Sequence, residues 1–394
     1  MTPQSNTQAN KKVLHAFYRM AYAGAEIRTL ETIPILKRQG ITTDTLSVSG
    51  QPGPLDDAIR EQGGEAHLIK VGLKFPYRLY QLLKSEQYET VHSSLHLMAG
   101  PILFIAWLAG VPIRIVHYRT TDNGNQASLL KSAIRSLSKW FVRMFATNII
   151  STSQAGLQFH AGKLATTDPR CEAIYDGIIP VGNLASSSHV RSEFQVPENM
   201  PLFVHVGNFR WQKNHDFLID ILEQYKQQYG DFRMLLVGDT SSNEEAQQLH
   251  QTIKQKIQTL QLDQQVLITG SRKDVPQLLS AADVMIFPST NEGLPGAVLE
   301  SLSAGTPVIC SDHGPFAEIH QHAQGVFPAN LKDSATQWAK TVHQAQKQQS
   351  PVQKQQILNA FLTTPFTVEN HCRQIERLYG VSSPVQQTSH KSAA

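Results

Sequence analysis

The chain has 394 residues, of which 41% are hydrophobic and 17% are charged, and its formal net charge is +3. This length and apolar fraction fit two ordinary domains with packed cores, and we expect no nucleic-acid partner. The three cysteines are far apart in sequence and form no CxxC pair, which argues against a zinc or disulfide framework and favours a reducing, cytoplasmic location.

We expect neither a secretion signal nor a membrane span. Residues 1–12 are polar and lack an apolar segment. The longest uncharged apolar run, residues 97–113, is interrupted by glycine and proline and is shorter than the about 20 residues that a transmembrane helix needs. We interpret it as a buried helix that ends at Gly110.

The first half of the chain alternates short apolar runs with longer amphipathic segments, an order typical of α/β sheets. Strands are predicted at residues 12–17, 41–48, 66–69, 90–92, 111–117, 148–151 and 173–175. Helices are predicted at residues 25–39, 76–84 and 128–146. Between the first strand and the first helix, Gly24 would let a phosphate or a sugar approach closely, although such a turn is also ordinary without a ligand.

Three histidines of the first half are candidates for a functional site. His92 and His96 are four residues apart, a spacing that would place two metal ligands on one face of a helix. No third ligand accompanies them at a motif spacing, so we expect no metal and no other cofactor. His117 ends an apolar strand, at the sheet edge where ligands bind, with a locally hydrogen-bonded loop histidine as the alternative.

The predicted helix at residues 128–146 carries a stripe of cations. Apolar side chains occupy its other faces, and the four-residue spacing is kept by Lys131, Arg135, Lys139 and Arg143. A basic amphipathic helix can lie on an anionic membrane, where each cation contributes about 1 kcal/mol. An ordinary solvated face is the alternative. We take the stripe as a candidate face for a membrane or an acceptor.

After a polar linker at residues 180–201, the second half repeats the alternation. Strands are predicted at residues 201–206, 234–238, 266–270, 284–287 and 307–310, and helices at residues 216–229, 243–260, 277–281 and 366–379. The loop after the first of these strands contains Arg210, Lys213 and Asn214. Fixed cations beside a helix start can stabilise negative charge on a leaving phosphate, or they can be surface residues without a ligand.

The segment from Asp283 to Asp312 has the most specific pattern. A strand leads into a polar loop and a helix that Gly305 ends, because glycine tolerates the left-handed conformation found after helices. Glu292 lies in the loop and Glu300 lies about two turns into the helix, at the carboxyl end of a strand, where ligands bind. Backbone N–H groups at this helix start can face an anion beside Gly293, Leu294 and Pro295.

The pattern that starts at Pro288, Pro-Ser-x-x-Glu-Gly-Leu-Pro-x-x-x-Leu-Glu-x-x-x-x-Gly-x-Pro-Val-Ile, resembles the Glu-x7-Glu signature of retaining glycosyltransferases of family 4, within glycosyltransferase group 1. The resemblance implies the α/β GT-B fold, in which two Rossmann-like doubly wound domains face a central cleft and a C-terminal helix crosses back to the first domain. The corresponding parts are an acceptor domain (1–188), a donor domain (189–364), the crossing helix (365–380) and a disordered tail (381–394).

The resemblance also implies roles for the residues that match the family's motifs. Glu300 would hydrogen-bond the nucleotide ribose, Glu292 with the backbone from Gly293 to Pro295 would orient hydroxyls of the donor sugar, and Val275 would contact the base. Contacts with the diphosphate or near the donor sugar would come from Gly24, His117, Arg210, Lys213 and Asn214. The chain has Asn208 where the family has arginine, and one glycine before its first helix where the family has two.

A family member would move a sugar from a nucleoside diphosphate sugar, commonly a UDP-sugar, to a glycan or a lipid-linked acceptor, with retention and without a metal. We expect a role in surface or capsular polysaccharide synthesis, in the cytoplasm or at the inner face of the membrane. Two alternatives stay open. One is a non-hydrolysing nucleotide-sugar epimerase, which shares the GT-B architecture, and the other is a non-catalytic scaffold subunit that binds a nucleotide-sugar, which Asn208 and the single glycine suggest.

Overall fold

The computed structural model describes residues 11–120, 129–181, 187–241 and 243–381. In the first domain the described strands form one parallel sheet in the order β3-β2-β1-β4-β5-β6-β7. These strands are β1 (Lys11–Phe17), β2 (Ile41–Ser47), β3 (Ala66–Leu68), β4 (Thr90–Ser93), β5 (Ile113–Tyr118), β6 (Asn148–Ser151) and β7 (Cys171–Ala173). The helices are α1 (Gly24–Arg38), α2 (Asp56–Glu61), α3 (Phe75–Glu86), α4 (His96–Leu108), α5 (Leu129–Phe145), α6 (Gln154–Ala161) and α7 (Leu164–Thr167).

The described strands of the second domain form another parallel sheet, in the order β10-β9-β8-β11-β12-β13. They are β8 (Leu202–Val206), β9 (Arg233–Val237), β10 (Val266–Gly270), β11 (Val284–Phe287), β12 (Val308–Ser311) and β13 (Val326–Ala329). The helices are α8 (Ser187–Glu193), α9 (His215–Tyr229), α10 (Glu244–Thr259), α11 (Val275–Ala281), α12 (Gly296–Ser303), α13 (Pro315–His322), α14 (Ala335–Lys347), α15 (Pro351–Phe361) and α16 (Val368–Leu378). A 3-10 turn spans Trp211–Lys213.

Both sheets have the doubly wound order, so the predicted Rossmann-like architecture is confirmed. Every residue of β11 is 0% exposed, because helices cover both faces of a parallel sheet, and this is why the strand reads as an uninterrupted apolar run. The strand order reverses between β1 and β4 and between β8 and β11. Such reversal points open a crevice at the carboxyl ends of the strands, and the candidate loops therefore lie where ligands bind.

The helix α16 returns to the first domain, as predicted. Its N-cap Thr367 forms an isolated parallel bridge with Ile178, and its side chains enter a core cluster of the first domain with Val13 and Ile115. Gly305, with φ +77, follows α12 as predicted, and a Cβ there would lie 2.5 Å from the Lys354 carbonyl oxygen. The tail beyond residue 381 lies outside the described residues.

One prediction about local structure is wrong. The predicted linker at residues 180–201 contains α8, whose Val190 is buried in a core cluster of the second domain. His92 and His96 do not share a helix face, because His92 is in β4 and His96 is the first residue of α4. Within the described ranges, no group of three or more His, Cys, Asp or Glu residues could hold a metal ion. No described helix is long and apolar enough to cross a membrane.

Many histidines are buried. Three of them, on the neighbouring strands β1, β4 and β5 of the first sheet, pack against one another. His15 and His92 are stacked at 4.0 Å between ring centroids, and His92 Nε2 lies 3.1 Å from His117 Nδ1. Burial lowers the pKa of each of these three imidazoles well below the ordinary value of 6.5. Burial also lowers the pKa of His205 to about 4. The folded protein therefore holds these groups neutral.

We predict that the protein loses stability as the pH falls below 6.5, the ordinary histidine pKa. The unfolded chain binds protons there that the folded chain does not bind, so each such histidine contributes up to about 1.4 kcal/mol per pH unit. Burial raises the pKa of Glu26, Glu31 and Glu300. These carboxyl groups bind protons more readily in the folded protein, which opposes the loss of stability, but they are fewer than the buried histidines. The free energy of urea unfolding should be lower at about pH 5.5 than at about pH 7.5. An equal or higher value at the lower pH would contradict this.

Candidate active site

A cavity of about 650 Å³ lies between the two domains, where the carboxyl ends of their strands face each other. The first domain contributes the loop after β1, the start of α1 and the residues that follow β5. The second contributes the loops after β8 and β11 and the start of α12. Predicted site residues that line the cavity are Gly24, Arg210, Lys213, Glu292, Gly293, Leu294 and Glu300.

Lys213 and Glu292, which are 79 residues apart in sequence, form an ion pair in this cavity. Lys213 Nζ donates to Glu292 Oε1 at 2.6 Å, and their side chains are 20% and 15% exposed. The Ser289 hydroxyl lies 2.8 Å from the same carboxylate oxygen. Lys213 Nζ also lies 4.8 Å from the centre of the Phe287 ring, a cation–π contact.

The loop after β8 aims Lys213 into the cavity through a tight turn. Asn214 has φ +56, in the left-handed region that asparagine tolerates, and its side-chain amide donates to the Pro288 carbonyl at 3.1 Å. Asn214 thus fixes the turn and does not line the cavity. Asn208 does line the cavity, and its Oδ1 accepts a hydrogen bond from the Asp239 backbone at 3.0 Å. The side chain that replaces the expected arginine therefore ties this loop to the end of β9.

The second glutamate of the motif is paired across the cavity. Arg28 Nη2, from α1 of the first domain, donates to Glu300 Oε1 at 2.9 Å. Burial raises the pKa of Glu300, and the nearby cations Arg28 and Lys213 oppose this rise. The start of α12 lies beside both glutamates, and its N-cap residue, Pro295, has no side-chain group that could accept from the first N–H groups of the helix. Its first N–H groups are therefore suited to an anion.

Sequence reasoning missed the cations that the first domain brings to the cavity. Arg28 and Arg119 both line it, and Arg119 Nη1 donates to both carboxylate oxygens of Asp176, at 3.0 and 3.2 Å. Arg119 lies two residues after His117, the last residue of the predicted strand, so its position at the sheet edge was the available signal. The position of Arg28 on α1 gives no local signal, because its partner Glu300 is 272 residues away.

Other predicted site residues lie outside the cavity lining. His117 is 1% exposed and packs against His92, and its predicted role near the donor sugar stays a prediction. Val275 begins α11, and Pro295 precedes α12. Of the basic stripe, Arg143 is exposed, Arg135 and Lys139 are partly buried, and the side chain of Lys131 is not among those described.

Contacts between the two domains, made to backbone groups, position the loop that carries Glu292. The Ser153 hydroxyl, at the start of α6, donates to the Gly293 carbonyl at 2.8 Å. A Cβ on residue 293 would lie 2.1 Å from the Arg119 carbonyl oxygen, so this close approach requires glycine. Glu318 accepts from the backbone N–H groups of Gln154 and Ala155, both at 2.8 Å. A carboxylate from the second domain therefore caps a helix of the first.

Comparison with known proteins agrees with this geometry. Residues 187–361 match the family model of glycosyl transferases group 1. The chain is 28% identical over 84% of its length to the capsular polysaccharide biosynthesis glycosyltransferase CapH of Staphylococcus aureus, of which 89% is covered. It is 26% identical over 78% of its length to the UDP-Gal:alpha-D-GlcNAc-diphosphoundecaprenol alpha-1,3-galactosyltransferase of Escherichia coli, of which 81% is covered. The crystal structure of HepE from Anabaena in complex with UDP superposes with a TM-score of 0.78 at 18% identity, over 94% of this chain and 99% of that one.

The two facing Rossmann-like domains, the crossing helix and the cavity between them define the GT-B architecture. The family model and the relatives indicate a glycosyltransferase. Residues 187–361, which match the glycosyl transferases group 1, include Lys213, Glu292 and Glu300.

We predict that Gly293→Ala slows turnover of a donor sugar while both domains remain folded. The added Cβ would lie 2.1 Å from the Arg119 carbonyl oxygen, so the Glu292 loop must move. A displacement of about 1 Å in a catalytic site can lower the rate about 100-fold, and we expect a loss of about 10- to 100-fold. Rates of donor hydrolysis measure this effect, and thermal unfolding reports the fold.

Gly72→Ala is the matched control, because nothing lies within 4 Å of a Cβ at that position and residue 72 does not line the cavity. Equal rates for the two variants would show that the contact between residue 293 and the first domain does not position the site.

Proposed function

We propose that this glycosyltransferase is a retaining member of family 4 that moves a sugar from a nucleoside diphosphate sugar to a glycan or lipid-linked acceptor in polysaccharide biosynthesis. The observation that carries the proposal is the cavity between the domains, in which Lys213, Glu292 and Glu300 come together. The names of the CapH protein and of the Escherichia coli galactosyltransferase support a role in building surface polysaccharide. A UDP-sugar is the donor to test first, because the latter name includes UDP-Gal and HepE was crystallised with UDP.

The proposed mechanism uses fixed positive charge on the departing diphosphate. Lys213 and Arg210 line the cavity beside the start of α12, whose N–H groups also favour an anion. Negative charge grows on the diphosphate as the glycosidic bond breaks, and cations that are already in place stabilise it without reorganisation. Glu292 would orient hydroxyls of the donor sugar, and Glu300 would accept hydrogen bonds from the ribose.

Retention and independence of a metal ion are inferred from the resemblance to family 4. In this mechanism the acceptor hydroxyl attacks from the face that the leaving group departs from, and an oxygen of the leaving phosphate assists in removing the acceptor proton. The side chains of this chain then bind and orient the donor and stabilise the leaving group. An epimerase would instead convert the donor without an added acceptor, and product analysis without an acceptor separates the two activities.

We predict that one nucleoside diphosphate or its sugar conjugate raises the midpoint of thermal unfolding selectively, because a ligand that binds only the folded state stabilises it. The shift should be lost in Lys213→Ala and Glu300→Ala. It should persist in Lys254→Ala, which removes an exposed lysine of α10 outside the cavity. Turnover of Lys213→Ala and Glu292→Ala should fall about 10²- to 10³-fold. If no nucleotide stabilises the wild type, the protein is better described as a scaffold without a donor site.

We further propose that the acceptor is met at a membrane surface. The described part of α5, together with α4, presents an apolar face, which we call the aromatic face, made of Trp107, Leu108, Ile134, Leu137, Trp140 and Met144. Each of these side chains is between 46% and 59% exposed. The Phe145 ring connects the two tryptophans, at 5.1 Å from Trp107 and 6.4 Å from Trp140 between ring centroids.

The charges of α5 favour an anionic lipid surface as the partner of this face. The exposed Arg143 and the partly buried Arg135 and Lys139 are on the same helix as Trp140, and α5 contains no acidic residue. Tryptophan favours the interface between lipid and water, and cations nearby add attraction to anionic headgroups. The apolar side chains Ile134, Leu137, Trp140 and Met144, which occupy other positions of the helix than the cations, are exposed.

We predict that the protein sediments with vesicles that contain anionic lipid and that the double substitution Trp107→Ser and Trp140→Ser weakens this binding about tenfold or more, since it removes most of the exposed aromatic area. Trp211→Ser is the control, because Trp211 is 50% exposed but lies outside the aromatic face. Raising the salt concentration should also weaken binding. Failure of the wild type to bind anionic vesicles at low salt would contradict the proposal.

A further inference from the structure

The contact between Arg28 and Glu300 links the two domains through charged side chains that both line the cavity. Arg28 is shared between two carboxylates. Its Nη1 lies 2.9 Å from Glu31 Oε2, on the same helix, and its Nη2 lies 2.9 Å from Glu300 Oε1, on the other domain. The side chains of Arg28 and Glu300 are 13% and 26% exposed, so water screens this pair only partly.

Under the proposed function, Glu300 has two competing partners, which are Arg28 and the ribose of the nucleotide. A carboxylate that recognises the two neighbouring hydroxyls of a ribose accepts a hydrogen bond on each of its oxygens. One of these oxygens, Oε1, already accepts from Arg28. Each carboxylate oxygen has two lone pairs, so a ribose hydroxyl on Oε1 would share that oxygen with Arg28 Nη2. Sharing weakens both hydrogen bonds, and Arg28 therefore competes with the ribose for Glu300.

The displaced guanidinium has a second anion within the same cavity. The diphosphate would lie near Lys213 and the start of α12, and Arg28 lines the cavity with them. Arg28 Nη2 gives Glu300 one hydrogen bond, so donating to a phosphate oxygen instead leaves the number of hydrogen bonds unchanged. Glu31 holds Nη1 at 2.9 Å, and only the Nη2 end has to move.

We propose that Arg28 is a donor-sensing residue that pairs with Glu300 until the ribose of the nucleotide takes that carboxylate, and that then binds the diphosphate. This inference rests on the proposed function of the cavity. The first domain then contributes Arg28 to ligand binding only when the ligand has both a ribose and a diphosphate. A nucleoside would break the ion pair and offer no phosphate in return, whereas a nucleoside diphosphate replaces it.

Nucleoside and nucleotide affinities of Arg28→Gln test this exchange, with uridine and UDP as the first probes in calorimetric titrations. Loss of the competing guanidinium should make uridine bind about threefold more tightly, the size expected for a partly exposed ion pair. Loss of a cation on the diphosphate should make UDP bind about tenfold more weakly. Arg28→Lys, which keeps the charge, should recover part of the UDP affinity.

Arg60→Gln is the matched control, because Arg60 pairs with Asp57 on α2 and does not line the cavity, and both affinities should stay at the wild-type values. Thermal unfolding of each variant reports its fold. Parallel losses of uridine and UDP affinity in Arg28→Gln would show that Arg28 only orients Glu300. Unchanged affinities would show that Arg28 takes no part in binding. Either result overturns this inference but leaves the proposed function standing. If the wild type binds no nucleoside diphosphate of any base, the proposed function fails and this inference fails with it.

Discussion

The close backbone contact between Gly293 and the residue after β5 determines the geometry of the cleft. Because a Cβ at position 293 would lie 2.1 Å from the Arg119 carbonyl oxygen, only glycine allows the Glu292 loop to rest against the first domain. The Ser153 hydroxyl, also from the first domain, donates a hydrogen bond to the Gly293 carbonyl of the same loop. The position of Glu292, and through their ion pair that of Lys213, thus depends on both domains.

Charge pairing is the second organising feature of the cavity. Lys213 pairs with Glu292, Arg28 with Glu300, and Arg119 with Asp176. A partly buried charge without a partner would be costly, so these three cations and three carboxylates pair at the cavity wall. A polyanionic ligand with hydroxyl groups can satisfy both members of such pairs, since phosphates accept from the cations and hydroxyls donate to the carboxylates. This complementarity suits a nucleoside diphosphate sugar and connects the ion pairs to the proposed function.

The features that the sequence predicted are those encoded within one strand, loop and helix. Buried strands such as Val284–Phe287 are apolar throughout, and Gly305 ends its helix locally, so the segment around Glu292 and Glu300 was predictable. The ion pair between Arg28 and Glu300 was not, because it joins residues 272 positions apart through the packing of two domains. His117 and Arg119 illustrate the same limit. The apolar run placed the strand end correctly, but only the packing shows that His117 is buried while Arg119 lines the cleft.

The account depends most on the claim that the cavity between the domains is the donor site. A crystal structure of the protein with bound UDP tests it most directly. The account predicts the diphosphate in contact with Lys213 beside the start of α12, and the ribose hydroxyls on Glu300. UDP bound elsewhere, or bound in the cavity with its phosphates away from Lys213, would contradict the assignment of these residues.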